Sequence, residues 1–367
     1  MRFACCTEEI EISGIRKCFE SAMPGSVNLG LGQPDFDTPS HIKRAAIRAI
    51  EMGQCGYTPN CGVPALREAL AEKLMRENQI DCTADDIMVT SGASEALFLA
   101  IVALVDRGEE VLVGDPSFIS YAELTRLVGA RPVSVPLDED LRITPEAIGE
   151  RITKKTRMII INSPSNPTGS VQTEEQMRAI AEIADDEDIA LLSDEVYEHF
   201  IYRGEHISPA RFSDNVITVN AVSKTYAMTG WRLGYLAARN EAIEQHLKIH
   251  QYVQACASSI SQAAALEAIC GPQDCVRQMR DEFMSRRDLL VAGFREMGVD
   301  LTEPDGAFYL FPRVGDGDLV ASKLARAGVI TVPGSAFGEG GREHIRISYA
   351  ASRANLEEAL RRMKDIL

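Results

Sequence analysis

The chain has 367 residues, too many for a single small core, so a large domain with a smaller companion is expected. Its 38 Lys and Arg against 54 Asp and Glu leave a formal charge of −16, which repels phosphodiester backbones and anionic lipid and argues against nucleic-acid or membrane binding. The densest basic clusters, Arg151–Arg157 and Arg361-Arg362, read as solvated faces and do not reverse that argument.

Nine cysteines, an odd number without Cys-x-x-Cys spacing, read as reduced thiols in a reducing compartment, the cytoplasm. Met1–Glu11 lacks the apolar core of a secretory leader, and the longest apolar run, Leu97–Val105, is too short to span a bilayer.

In chain order, Ser26–Gly32 is a short apolar segment ending in Gln33-Pro34-Asp35. A helix is predicted over His41–Met52, and another opens at Pro64 with Leu66, Leu70 and Leu74 on one face. Short apolar runs then alternate with helical stretches at 95–105, 120–128 and 173–185. The runs are Ile87–Thr90, Val111–Val113, Met158–Ile161, Ala190–Leu192, Val216–Val219 and Tyr235–Ala237. That alternation predicts an α/β fold whose mainly parallel sheet is covered by helices on both faces. After about 240 the pattern is helical for some 50 residues, by the same periodicity. Strand candidates come next at Ala307–Phe311, Val329–Val332 and His344–Ser348, and then a closing helix with Leu356, Leu360, Met363 and Leu367 on one face. The division expected is a large domain at 41–284 and a smaller α+β domain made of 1–40 and 285–367.

Four motifs each follow a predicted strand. The first, Val89–Leu97, passes through Gly92-Ala93-Ser94 into a helix whose free N–H groups suit a phosphate. The second, Asn162–Gly169, is a Pro-stiffened loop in which Asn166 can donate an amide hydrogen bond. In the third, Ser193–Tyr197, Asp194 ends a buried strand and demands a cation, and Tyr197 faces the same way if the chain turns helically. The fourth places Lys224 just after an apolar run and Arg232 eight residues later. Ser, Thr, Tyr, Met and Trp neighbours are expected to strip the lysine of water and make its amine a Schiff-base nucleophile.

In that order the motifs resemble those of the class I aminotransferases, fold-type I enzymes that use pyridoxal 5′-phosphate (PLP), and the resemblance runs from about Asn28 to Arg346. It implies that Lys224 holds PLP as a Schiff base and that Asp194 pairs with the pyridine nitrogen. Asn166 and Tyr197 would hydrogen-bond the ring oxygen. Arg232, Ser223, Ala93 and Ser94 would hold the phosphate, with Ala221 standing where better-known aspartate enzymes have a further serine. Phe118 matches the ring-stacking aromatic, Arg346 the arginine that binds the substrate α-carboxylate, and Gly32 the close-approach glycine beside it, on a segment that closes over the site. Tyr57 matches a tyrosine that reaches the active site of the second subunit of a homodimer.

The activity implied is transfer of an amino group from aspartate, an aromatic amino acid or alanine to a 2-oxo acid, 2-oxoglutarate above all, in two half-reactions. No metal is implied. Two other readings share these residues: a PLP-dependent C–S β-lyase, and a non-enzymatic PLP-sensing regulator. Ser94 stands where some bacterial relatives that accept aspartate have lysine, so no residue is assigned to a side-chain carboxylate.

Overall fold

The computed structural model describes residues 1–8, 10 and 25–367; residues 9 and 11–24 of the segment assigned to the smaller domain lie outside the described residues. Among the described residues the strands are β1 (Val27–Asn28), β2 (Ile87–Thr90), β3 (Glu110–Asp115), β4 (Arg131–Pro136), β5 (Thr156–Asn162), β6 (Ala190–Asp194), β7 (Val216–Ala221), β8 (Gly234–Ala237), β9 (Tyr309–Leu310), β10 (Val329–Ile330), β11 (Val332–Pro333) and β12 (Ile345–Ser348).

Strands β2 to β8 form one sheet in the order β2-β8-β7-β6-β5-β3-β4. Pairing is parallel from β4 through β7, while β8 runs antiparallel to both of its neighbours. Alternate residues of these strands enter different cores, as a period of two requires. Val111, Val113, Met158, Ile160, Leu192 and Ile217 pack on one face, beside Leu97 and Ile101 of the helix Ala93–Leu104. Leu112, Ile159, Ile161, Leu191 and Val216 pack on the other, beside Met177, Ile180 and Ala184 of the helix Glu174–Asp186. Thr173 caps that second helix, accepting from the Gln176 N–H while the Gln176 side chain accepts from the Thr173 N–H.

Strand β4 has no counterpart among the sequence expectations. It lies at the sheet edge, carries two prolines and alternates little in burial, so it lacks the apolar run that marks the inner strands. The expected strand at 329–332 is two: β10 pairs in parallel with β1, and β11 pairs with β12, so the chain changes sheets at Thr331. Of Ala307–Phe311 only Tyr309–Leu310 is strand, and the positive φ of Ala307, 56°, keeps its start from extended backbone.

Helices Asn240–Val253, Ser259–Cys270 and Asp274–Glu296 fill the helical stretch. The last of them runs unbroken across the expected boundary at 284/285. Its Val276 joins the core around β2 and β8, whereas its Met279, Phe283, Leu290 and Phe294 join the core built on β9 and β12. Among the described residues no helix is long and apolar enough to cross a membrane.

Strand β6 carries the site's central carboxylate, so its anchoring matters most. Leu191 is fully buried. Leu191→Ala should lower unfolding stability by about 2–5 kcal/mol in denaturant titration, through lost apolar burial and the cavity left behind.

Candidate active site

A cavity of about 270 Å³ opens beyond the carboxyl ends of β5, β6 and β7, where parallel sheets place their ligand sites, and next to the first turn of the helix Ala93–Leu104. Lys224 projects into it from the one-turn helix Val222–Thr225 and donates from Nζ to the Gly32 carbonyl at 2.7 Å. Burial, reinforced by the charges of Arg346 and Arg232 and opposed by Asp194, pulls the Lys224 ammonium down to about 8. Of the neighbours expected to bury it, Ser223 and Thr229 line the cavity, but the Tyr, Met and Trp do not. Tyr226 and Met228 point into the core around β2 and β8, and the Trp231 Nε1–H donates to Thr38. The enclosure comes from distant parts of the chain, Gly32, Tyr197, Tyr309 and Arg346 among them.

Asp194 ends β6 and is 3% exposed. Its Oδ2 accepts from the Tyr121 hydroxyl at 2.8 Å and its Oδ1 from the Val196 N–H at 3.3 Å. Burial raises its pKa to about 6, against those hydrogen bonds and the pull of Lys224. A carboxylate so placed is stabilised by any cation brought into the cavity. The backbone turns after β6 with the Glu198 N–H donating to the Glu195 carbonyl, which brings Tyr197 to the cavity side with Asp194. Tyr197 Oη lies 2.8 Å from Tyr309 Oη.

Arg346 of β12 is 2% exposed and points inward. It donates to Asn166 Oδ1 at 2.9 Å and to the Gly30 carbonyl at 2.6 Å, and its guanidinium stacks over the rings of Tyr309 and Phe337. With Oδ1 of Asn166 engaged, the NH₂ end of that amide is the donor for a ligand. Gly32 lies so near that a Cβ there would strike the Tyr309 hydroxyl. At the other end, Arg232 sits in a left-handed turn (φ 51°) and donates to the Thr229 carbonyl. A Cβ on Gly92 would meet Arg232 Nη2 at 2.5 Å, so the missing side chain is what seats the guanidinium beside a helix start that has no side-chain cap. An arginine fork next to uncapped N–H groups is a donor set for a phosphate.

Behind the turn after β6 lies a second, buried polar cluster. Glu198 Oε1 takes hydrogen bonds from the Lys73 ammonium and from Asn220 Nδ2 at 2.7 Å, and its Oε2 takes one from Asn78 Nδ2 at 2.6 Å. Glu195 accepts from Ser193, Ser208 and His206. His199 links Glu77 to Thr225, the residue after Lys224. The Lys73 charge holds Glu198 well below the usual carboxylate range, against the effect of burial, and Glu195 raises His206 likewise.

The cavity thus brings together Gly32, Ala93, Ser94, Phe118, Asn166, Asp194, Tyr197, Ser223, Lys224, Arg232 and Arg346. Tyr57 is not among them: it is 93% exposed and borders a separate cavity near Gln262. Sequence reasoning misses Tyr121, Tyr309 and Asn162, all of which line the site. The three-residue spacing of Phe118 and Tyr121 could have signalled one; Tyr309 reads as another apolar residue of its run.

The sequence model of the family described as "Aminotransferase class I and II" matches residues 24–363. A protein of Methanocaldococcus jannaschii named "Probable aspartate aminotransferase" is 48% identical, with 98% of each chain covered. The "Aromatic-amino-acid aminotransferase 2" of Thermococcus litoralis is 41% identical over 98% of this chain and 97% of its own. The solved structure of the aspartate aminotransferase from Thermus thermophilus with maleate superposes with a TM-score of 0.96, at 38% identity and with all of both chains covered.

Two measurements probe this geometry. In the cofactor-free protein, reaction of Lys224 with an aldehyde reagent, followed by peptide mass, should rise with pH through a midpoint near 8, since the neutral amine is the reactive form. Arg346→Leu removes a like charge and should move that midpoint upward. Lys73→Met leaves Glu198 charged and buried without its cation, and should cost about 3–5 kcal/mol of stability in denaturant unfolding.

Proposed function

The chain belongs to the class I and II aminotransferase family and is an aminotransferase, and on that premise we propose that its cavity binds PLP and that it moves the amino group of L-aspartate to a 2-oxo acid, 2-oxoglutarate above all. The observation that carries the reading is one cavity holding a lysine with a lowered pKa, a buried carboxylate, and two arginines with separate surroundings. Names of relatives favour aspartate as donor. They lend nothing to the lyase or the regulator.

The residues fit the cofactor as a set. Asp194, fixed by Tyr121, would hold the protonated ring nitrogen. Asn166 and Tyr197 would donate to the ring oxygen. Phe118 would cover one face of the ring. Arg232, Ser223 and the start of the helix at Ala93 and Ser94 would hold the phosphate. PLP supplies an electron sink for the electrons left at Cα when its proton departs. The chain does the rest. Arg346 grips the α-carboxylate of the amino acid through its planar fork, and Gly32 leaves room for that carboxylate. Lys224 Nζ, whose ammonium is lowered to about 8, takes the Cα proton as a base and returns it as an acid. The same residues serve the second half-reaction in reverse.

Three further parts belong to this reading. The large domain is 41–284 and the small one 1–40 with 285–367, supported by the pairing of β1 with β10 and by a core that Leu29 shares with Leu310, Ile347 and Leu356. Tyr57, exposed and away from its own cavity, serves the site of a second copy in a homodimer. The cytoplasm is supported by the seven free cysteines of the described residues.

Aromatic donors are the second reading, favoured by the rings of Phe118, Tyr309 and Phe337 around the cavity and Arg346. A panel of amino donors, read as half-reaction rates, separates the two: aspartate should outrun phenylalanine and tyrosine, and the reverse order overturns the first reading. Lys224→Ala should lower turnover by about 10⁴-fold or more and abolish the PLP absorbance of the linked form; a variant keeping both would defeat the assignment of Lys224.

A further inference from the structure

Tyr309 has no part in the proposed transamination, and the role inferred for it depends on PLP occupying the cavity. It stands on β9, 1% exposed, where water cannot compete for its proton. Its hydroxyl lies 2.8 Å from Tyr197 Oη, and its ring lies 4.6 Å below the Arg346 guanidinium. One side chain therefore touches both the residue that would meet the cofactor's ring oxygen and the residue that would grip the substrate carboxylate.

A phenol has one proton to give, so in a hydroxyl pair one member donates and the other accepts. Two observations decide the direction. Burial raises both phenols and the Arg346 charge eases loss of the proton from both, but Arg346 lies over the Tyr309 ring, whereas Tyr197 is pushed far above its ordinary range by burial and then by Tyr309 itself. The more acidic phenol is the better donor. In addition, Tyr197 must keep its own proton for the ring oxygen, which leaves its lone pair as the acceptor. We infer that Tyr309 is a positioning residue: its hydroxyl donates to Tyr197 Oη, turns the Tyr197 proton toward the cavity and strengthens the bond that Tyr197 gives the cofactor's ring oxygen.

The direction of the effect is set by charge. When the nitrogen joining Lys224 to the cofactor loses its proton, negative charge is left on the ring oxygen, and a stronger donor at that oxygen favours the deprotonated form. The Tyr309–Tyr197 pair therefore lowers the pH at which the cofactor changes colour. Other groups face Tyr197 as well: the Lys224 ammonium 5.9 Å from its ring, Asp194 with its partner Tyr121, and Arg346. Tyr309→Phe leaves all of these in place, keeps the ring under Arg346, and removes one oxygen.

The experiment is a pH titration of cofactor absorbance in the holoenzyme for the wild type, Tyr309→Phe, Tyr197→Phe and the double variant. Tyr309→Phe should raise the midpoint by about half a pH unit, roughly a threefold change in proton affinity, as loss of one buried hydrogen bond allows. Tyr197→Phe should raise it further, and the double variant should match Tyr197→Phe alone. KM for the amino acid should stay within about twofold in Tyr309→Phe, because the cation–π contact with Arg346 is kept. An unchanged midpoint in Tyr309→Phe overturns the inference. So does an equal further shift in the Tyr197→Phe background, which would show that Tyr309 acts without Tyr197. A wild-type protein that gains no absorbance of lysine-linked cofactor when PLP is added would overturn the cofactor reading itself, and the inference with it.

Discussion

The five residues from Asp194 to Glu198 leave the end of β6 in a tight turn, and four of them are ionisable. Their spacing sends Asp194 and Tyr197 to the cavity and Glu195 and Glu198 to the opposite side. Buried charge on either side alone would be costly, and each side has its own cation: Lys224 in front, Lys73 behind. The rear cluster also reaches Asn220 at the end of β7 and, through His199, Thr225 beside Lys224. Asp194, Tyr197 and Lys224, which line one cavity, are thus braced from behind by a single hydrogen-bonded body.

This arrangement divides the electrostatic work of the site. The front charges are both shifted chiefly by burial, Asp194 raised to about 6 and Lys224 lowered to about 8. The rear charges are locked, Glu198 by Lys73 and two amides. Arg346 is locked too. It is fixed by Asn166 and Gly30, and its planar faces lie against the rings of Tyr309 and Phe337, which shield it from water.

The sheet and most of the site are legible in the sequence because each motif follows an apolar strand, and parallel sheets collect ligands beyond such strand ends. Edge strand β4 is not, since one exposed side and two prolines erase the pattern. The enclosure of Lys224 is not legible either. Local sequence offers Tyr226, Met228 and Trp231, but the one-turn helix directs them elsewhere and the cover arrives from residues such as Gly32, 192 positions away. Tyr121 and Tyr309 escape for a related reason: a tyrosine among apolar neighbours looks like core until the fold shows what its hydroxyl meets. Lys73 is hidden most completely, because a lysine on a periodic helix reads as surface, whereas here it is 2% exposed.

The helix Asp274–Glu296 supplies apolar side chains to two cores, Val276 to one and Met279 through Phe294 to the other. Neither core is complete unless the same rod is formed along its whole length. Loss of order at one end is therefore expected to propagate through a shared element rather than stop at a linker, so that the two cores unfold together. Cutting the chain in the middle of this helix would expose half of each interior, so the protein cannot be dissected there into independent modules.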